Sequence, residues 1–328
     1  MRIAIIGAAG MVGRKLTESL ARDPVINGSQ VETLTLCDVV APSAPTGFTG
    51  QVDCRVADLS DPGQAKALVA LRPDLIIHLA AIVSGEAELD FDKGYRINLD
   101  GTRLLFDEIR ALSQADGYRP RVVFTSSIAV YGAPLPNPIP DDYHLTPLTS
   151  YGAQKAIGEL LLADYTRRGF FDGIGIRLPT LCIRPGKPNK AASGFFSSIL
   201  REPLIGQEAV LPVPDDLRHW HASPRAAVGF LRHAATLDLH RVGPHRNLAM
   251  PGVSATVGEQ IEALRRVAGD KAVRLIRREP DPMVAQIVQN WAPGFTATRA
   301  RELGFTAESS FDEIIRVHIE DELGGELP

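Results

Sequence analysis

The chain has 328 residues, 45% of them hydrophobic and 23% charged, with a formal net charge of −4. That is an ordinary globular balance, long enough for one large domain or two modest ones around a sizeable core. The slight acidity and the lack of a long basic run argue against nucleic acid as a partner. Strands are expected over Ile3–Ile6, Val31–Cys37, Val52–Val56, Leu75–Leu79, Val122–Thr125 and Ile174–Leu178. Most are near-continuously apolar, as strands covered on both faces should be. Between them lie helical patterns over Met11–Arg22, Pro62–Leu71, Asn98–Ala115 and Tyr151–Arg168. This alternation predicts an α/β fold with a Rossmann-type, doubly wound parallel sheet.

After Leu178 the character changes, with Pro179, Pro185, Pro188, Pro203, Pro212 and Pro214 punctuating the chain. Helical signals resume at Pro224–Leu237, Val257–Val267 and Phe311–Glu322. The expected organisation is a nucleotide-binding domain over 1–178, to which 224–250 returns, and a smaller substrate-binding lobe from 179–223 and 251–328. Cys37, Cys54 and Cys182 form no CxxC pair, which argues against a disulfide framework or structural zinc and suits a reducing compartment. No run of about 18 apolar residues is present to span a membrane. Met1-Arg2 leads straight into the first strand, without the longer apolar region of a cleaved leader. The expectation is a cytoplasmic protein.

Gly7-Ala8-Ala9-Gly10-Met11-Val12-Gly13 follows the first strand and opens the first helix, with GxxGxxG spacing. Glycines there let the backbone turn sharply and approach a pyrophosphate, whose charge the helix N-terminus stabilises. Gly13 lets the helix pack close to the sheet. Asp38 closes the second strand, where an acidic residue accepts hydrogen bonds from the adenosine ribose hydroxyls. Val39 and Val40 follow, so no adjacent arginine serves a 2′-phosphate, and NAD is favoured over NADP. Further cofactor candidates line the same edge: Asp58 and Leu59 near adenine, Leu79, Ala80 and Ala81 after the fourth strand, Asn98, and Leu178 at the end of the sixth. Asp58 could equally be a helix cap near Asp61. Asn98 could brace the site or cap its own helix.

Tyr151 and Lys155 stand four residues apart, on one face of a helix. A phenol beside an ammonium ionises more easily than a free tyrosine, whose pKa is about 10. Such a tyrosine takes a proton from an alcohol while a cofactor takes the hydride. Ser126 and Ser127 end the fifth strand, where ligands of such sheets bind, and either hydroxyl could hold the substrate oxygen. The segment Ala133–Thr149, rich in proline and polar residues, reads as a loop over the site mouth that ends in a helix cap at Thr149 or Ser150. Arg184, Lys187 and Lys190 form a small cationic cluster past the sixth strand, which by itself reads first as a solvated basic loop and second as a site that would favour a carboxylate. Asn189 and Ser193 could add hydrogen bonds there. His219 and His221 flank Trp220; two histidines are too few to argue for a metal, and they read as pocket or packing residues.

The pieces Gly7–Gly13, Asn98-Leu99-Asp100-Gly101-Thr102, Ser126-Ser127-Ile128-Ala129-Val130-Tyr131-Gly132 and Tyr151–Lys155 span the first half of the chain. In this order they resemble the extended short-chain dehydrogenase/reductase family. The resemblance implies Tyr151 as acid/base, Lys155 lowering its pKa and binding the nicotinamide ribose, and Ser127 orienting the substrate. It also implies a homodimer built on helices such as Asn98–Ala115 and Tyr151–Arg168. The run from Arg177 to Lys190 lacks the asparagine and the Tyr-Gly-Pro of the nucleotide-sugar branch. Arg184–Phe196, Arg201-Glu202-Pro203-Leu204 and Arg218-His219-Trp220-His221 instead resemble a sugar-acid dehydrogenase branch. That implies NAD-dependent oxidation of a small sugar acid, D-erythronate foremost, at C2 to a 2-oxo acid, with Lys187 and Asn189 among the substrate contacts. Two rival expectations stand beside it: a nucleotide-sugar epimerase or dehydratase on the same scaffold, and a non-enzymatic NAD(H) sensor.

Overall fold

The computed structural model describes residues 1–186 and 193–327. Seven parallel strands form its central sheet, in the order Asn247–Ala249, Asp172–Leu178, Arg121–Ser127, Leu75–His78, Arg2–Ile6, Thr33–Asp38, Gln51–Val56. The chain winds outward from Arg2–Ile6 in one direction, then returns to its other side at Leu75–His78. That reversal is the crevice where ligands of such sheets bind, outside the carboxyl ends of the strands.

The central strand shows why the fold has two apolar layers. Ile3 and Ile5 face one side, packed with Leu16 and Leu20 of helix Met11–Arg22 and with Phe230 and Leu231 of helix Pro224–Thr236. Ala4 and Ile6 face the other, packed with Leu68 of Pro62–Val69, Leu105, Phe106 and Ile109 of Gly101–Asp116, and Leu162 of Ser150–Arg167. Successive strand residues point to opposite faces, so both sets must be apolar. Gln51–Val56 is the exception, with a mostly part-exposed pattern, because it forms the edge.

Several expected boundaries shift. The helix expected from Asn98 is preceded by a wider turn over Tyr95–Asp100, and the regular helix begins at Gly101. Such turns are common near functional sites. The helix expected to stop at Val267 continues to Val273, but across a kink at Gly269, whose φ of 80° is left-handed. Beyond Leu178 a second core gathers Phe195, Phe196 and Leu200 of Gly194–Leu204, Ile261 and Leu264 of Val257–Val273, and Phe311, Ile314 and Ile315 of Phe311–Glu322. It lies against a three-stranded sheet in which Arg218–Ala222 pairs with Val253–Thr256 and with Thr180–Leu181. Among the described residues no helix is long and apolar enough to cross a membrane.

Candidate active site

The glycine loop sits at the sheet's reversal point. Gly7 and Ala8 donate to the Cys37 carbonyl at 2.8 and 3.2 Å, and Leu79 donates to Ile6 at 2.8 Å, which ties three strand ends together. The packing leaves no room for side chains. A Cβ on Gly7, whose φ is +89°, would lie 2.7 Å from the Ala80 nitrogen, and one on Gly13 would lie 2.3 Å from the Gly7 oxygen. Gly10 caps the helix with no side-chain bond, and the first turn carries no acidic residue. The opening amides at Met11 and Val12 are therefore left without a side-chain cap, as an anion at a helix N-terminus requires. Asp38 accepts from Ala9 N at 2.9 Å and from Val40 N at 3.2 Å. A tight loop with glycines at 7, 10 and 13, an uncapped helix end and a carboxylate beside it fit a dinucleotide.

The other candidates along this edge are placed differently from one another. Asp58 does not cap a helix amide: its carboxylate accepts from Ser60 N at 2.9 Å, Ser60 Oγ at 2.6 Å and Arg96 at 3.0 Å. Burial opposes its ionisation, but these bonds outweigh it and hold the carboxyl below its ordinary range. Leu59 is buried in an apolar layer, and Leu178 packs at the border of the opposite one. Ala80 and Ala81 stay part-exposed beside the loop. Asn98 is buried, accepts from Ile82 N at 2.9 Å, and donates to Ile82 O at 3.2 Å and to Gln154 Oε1 at 2.8 Å. It braces the segment after Leu75–His78 against the helix that carries Lys155.

Thr149 caps that helix, accepting from Gly152 N at 3.0 Å, and so sets where Tyr151 enters. Two successive residues of the strand end are gripped from this helix. Lys155 Nζ donates to the Thr125 carbonyl at 2.8 Å. Ser126 Oγ donates to Glu159 Oε1 at 2.5 Å. The Ser127 hydroxyl lies near the Tyr151 phenol and eases its ionisation. Ser127 also accepts from Ala129 N at 3.1 Å. Ser126, with its hydroxyl committed to Glu159, is buried, whereas Ser127 and Tyr151 keep partial exposure.

Burial pushes the Tyr151 phenol up to about 12, and the opposing influence is the Ser127 hydroxyl. The Lys155 ammonium lies 5.8 Å from the Tyr151 ring centre and is spent on the Thr125 carbonyl. Burial brings Lys155 itself down to about 8, against the pull of Glu159. Beside it, burial and the Lys155 charge take His78 down to about 3.

Sequence reasoning passed over Glu159 and Arg177. Arg177 Nε and Nη2 reach the two Glu159 oxygens at 2.8 and 2.7 Å, and Nη1 donates to the Tyr131 hydroxyl. A signal for Glu159 was present: Tyr151, Lys155 and Glu159 recur every four residues on one face. Arg177 had none, since its partner lies on another element. Lys187 and Asn189 lie outside the described residues. Arg184 donates to Ser193 Oγ at 2.8 Å. His219 meets Thr180 Oγ1 at 2.7 Å and His221 meets Gln260 at 3.1 Å, both fully enclosed in the second core. The segment Ala133–Thr149 is pinned through Ile139, which pairs with Gly294 and Thr296 at 2.9 and 3.0 Å, and through Asp141, which accepts from Arg299 N at 3.0 Å. A cavity of about 430 Å³ borders it, lined by Ala133, Leu135, Leu217, Arg218 and Trp291.

Residues 3–222 match the model of the NAD dependent epimerase/dehydratase family. A D-erythronate dehydrogenase of Cupriavidus necator is 47% identical, with 98% of each chain covered. Another, of Haemophilus influenzae, is 40% identical, covering 98% of this chain and 99% of that one. A solved structure described as the nucleoside-diphosphate-sugar epimerase from Agrobacterium tumefaciens is 75% identical with a TM-score of 0.99, covering 100% and 96%. An L-threonine dehydrogenase from Cupriavidus necator, 20% identical with a TM-score of 0.83 and covering 98% and 99%, shares the fold.

Proposed function

The chain belongs to the NAD dependent epimerase/dehydratase family, and from that premise we propose that it oxidises a small sugar acid with NAD, D-erythronate foremost, at C2 to 2-oxo-tetronate. The observation that carries this reading is the double grip of one helix on one strand end, Lys155 on Thr125 and Glu159 on Ser126. It supports a site in which Tyr151, Ser127 and Lys155 act together. Two relatives named D-erythronate dehydrogenase, similar over essentially the whole chain, support the substrate.

In this mechanism Tyr151, as phenolate, removes the hydroxyl proton of the substrate. Ser127 donates to the substrate oxygen and fixes it against Tyr151. Bound NAD supplies the acceptor for the hydride that leaves C2. Gly7, Gly10, Met11, Val12 and Gly13 would hold its pyrophosphate, Asp38 the adenosine ribose, and Lys155 the nicotinamide ribose. Asp58, Leu59, Leu79, Ala80, Ala81, Asn98 and Leu178 would line the remainder. Val39 and Val40 leave no guanidinium for a 2′-phosphate, which favours NAD over NADP. Lys187 and Asn189 complete the proposed substrate contacts, while Ser126, its hydroxyl committed to Glu159, holds the strand end instead of the substrate. Residues 1–178 with 224–250 would form the cofactor domain, and 179–223 with 251–328 the substrate lobe, in a cytoplasmic homodimer.

The test is NADH appearance by absorbance with purified protein, NAD and D-erythronate, beside L-threonate and UDP-glucose. NADH formed with erythronate alone supports the reading; silence with every sugar acid sinks it. A second reading, a nucleotide-sugar epimerase, is favoured by the description of the 75%-identical structure. Such an enzyme returns the hydride each cycle, so UDP-glucose would turn over without added NAD or net NADH. Cofactor binding with no turnover of either class would instead point to a sensor.

A further inference from the structure

A lysine buried to 2% exposure, with one neutral hydrogen-bond acceptor, is costly to keep charged. Yet the charged form is what a phenolate and a ribose hydroxyl need. The groups around Lys155 come from several elements. Tyr151 and Glu159 lie on its own helix, one turn to either side. From strand Arg121–Ser127 it meets the Thr125 carbonyl and, at 4.9 Å, the face of Phe124. His78, from Leu75–His78, is held neutral by burial and by the Lys155 charge. Arg177, from Asp172–Leu178, is occupied by Glu159 and Tyr131. Glu159 is the one carboxylate in this set, only 1% exposed and fixed by three hydrogen bonds of 2.5 to 2.8 Å.

We propose that Glu159 is a positioning residue for the reaction: it supplies the counter-charge for the buried Lys155 ammonium, and Arg177 and Ser126 hold its carboxylate where that charge is felt. The assignment rests on the dehydrogenase reading of Tyr151 and Lys155. Two features of the geometry support it. Glu159 stands one helical turn from Lys155, on the same face, and it grips Ser126, next to the Thr125 carbonyl that Lys155 grips. Arg177 and Ser126 occupy its oxygens from the strand side, so the carboxylate cannot swing away from the lysine.

The test reads Lys155 directly, by NMR titration of protein carrying [ε-13C]lysine, with the resonance identified by its loss in Lys155→Met. In Glu159→Gln the Lys155 midpoint falls by about one pH unit relative to wild type. Glu159→Gln/Arg177→Met leaves no unpaired guanidinium and covers the case in which the single variant fails to fold; it gives the same fall relative to Arg177→Met, a reference that also lacks the guanidinium. Glu159→Asp, which keeps the charge, restores the midpoint towards wild type. The alkaline limb of kcat/KM for NAD-dependent oxidation moves down with the midpoint, a tenfold loss at pH values above it for each unit. A Lys155 midpoint that does not fall in Glu159→Gln, or in the double variant relative to Arg177→Met, overturns the proposal, whatever happens to activity. Wild-type protein that makes no NADH from any sugar acid overturns the dehydrogenase reading separately, because the titration needs no turnover.

Discussion

Replacing Tyr151 with phenylalanine separates chemistry from folding in this site. The substitution removes one hydroxyl, which lies near that of Ser127. Ser127 is not orphaned by the loss, since it still accepts from Ala129 N at 3.1 Å and keeps partial exposure. Lys155 is anchored on the Thr125 carbonyl, so the helix and strand stay joined. The stability cost is therefore at most that of one ordinary hydrogen bond, about 1 kcal/mol. The cost to the reaction is much larger. A positioned base is worth roughly 10²- to 10⁴-fold, or about 3 to 5 kcal/mol of barrier. The assay is steady-state NADH formation with the best substrate, beside urea denaturation and NAD titration by calorimetry. The expected result is a kcat loss of roughly two to four decades, with NAD affinity and denaturation midpoint close to wild type. Near-normal turnover refutes Tyr151 as base. A matching collapse of stability refutes the argument that the hydroxyl is structurally dispensable.

Three further outcomes follow from the same geometry. His78, His219 and His221 are buried neutral, at about 3, about 4 and well below the ordinary value. The unfolded chain binds protons on them below about 6.5 while the folded chain does not, so stability falls as pH falls through that value. From pH 7.5 to 5.5 each costs about 1.4 kcal/mol, roughly 4 kcal/mol together, read as a lower urea midpoint; His78→Gln should relieve about a third of the drop. Gly13→Ala sets a Cβ 2.3 Å from the Gly7 oxygen. That backbone has to move, costing about 1 to 3 kcal/mol, and calorimetry should show weakened NAD binding while Lys155 still titrates as in wild type. Asp38→Ala/Val39→Arg removes the proposed ribose acceptor and adds a guanidinium. Its ratio of kcat/KM for NADP over NAD should rise at least about tenfold, the effect of a difference near 1.4 kcal/mol.

What was legible in the chain is what short-range spacing encodes. The apolar runs, the glycine spacing, Asp38 at a strand end and the Tyr151–Lys155 pair all depend on residues within a few positions of one another, and each has its expected place in the sheet. The missing parts depend on partners brought together by folding. Asn247–Ala249 is too short to announce itself by alternation and becomes a strand because Asp172–Leu178 offers it an edge. Ile139 meets Gly294 and Thr296 from a loop with no periodicity of its own. Arg177 reads as one more polar residue in a strand until the helix Ser150–Arg167 crosses it and Glu159 closes on the guanidinium.

The same contrast explains why the pair is more informative than its pKa values alone. Tyr151 and Lys155 are each pushed by burial towards their neutral forms, which by itself would leave an inert phenol beside an amine. The groups that oppose burial come from outside the pair: Ser127 on the phenol and Glu159 on the ammonium. Ser127 comes from the neighbouring strand, and Glu159 is held by Ser126 of that strand and by Arg177 of the next. A four-residue spacing on a helix therefore identifies where the proton would move, while the two adjoining strands determine whether it can.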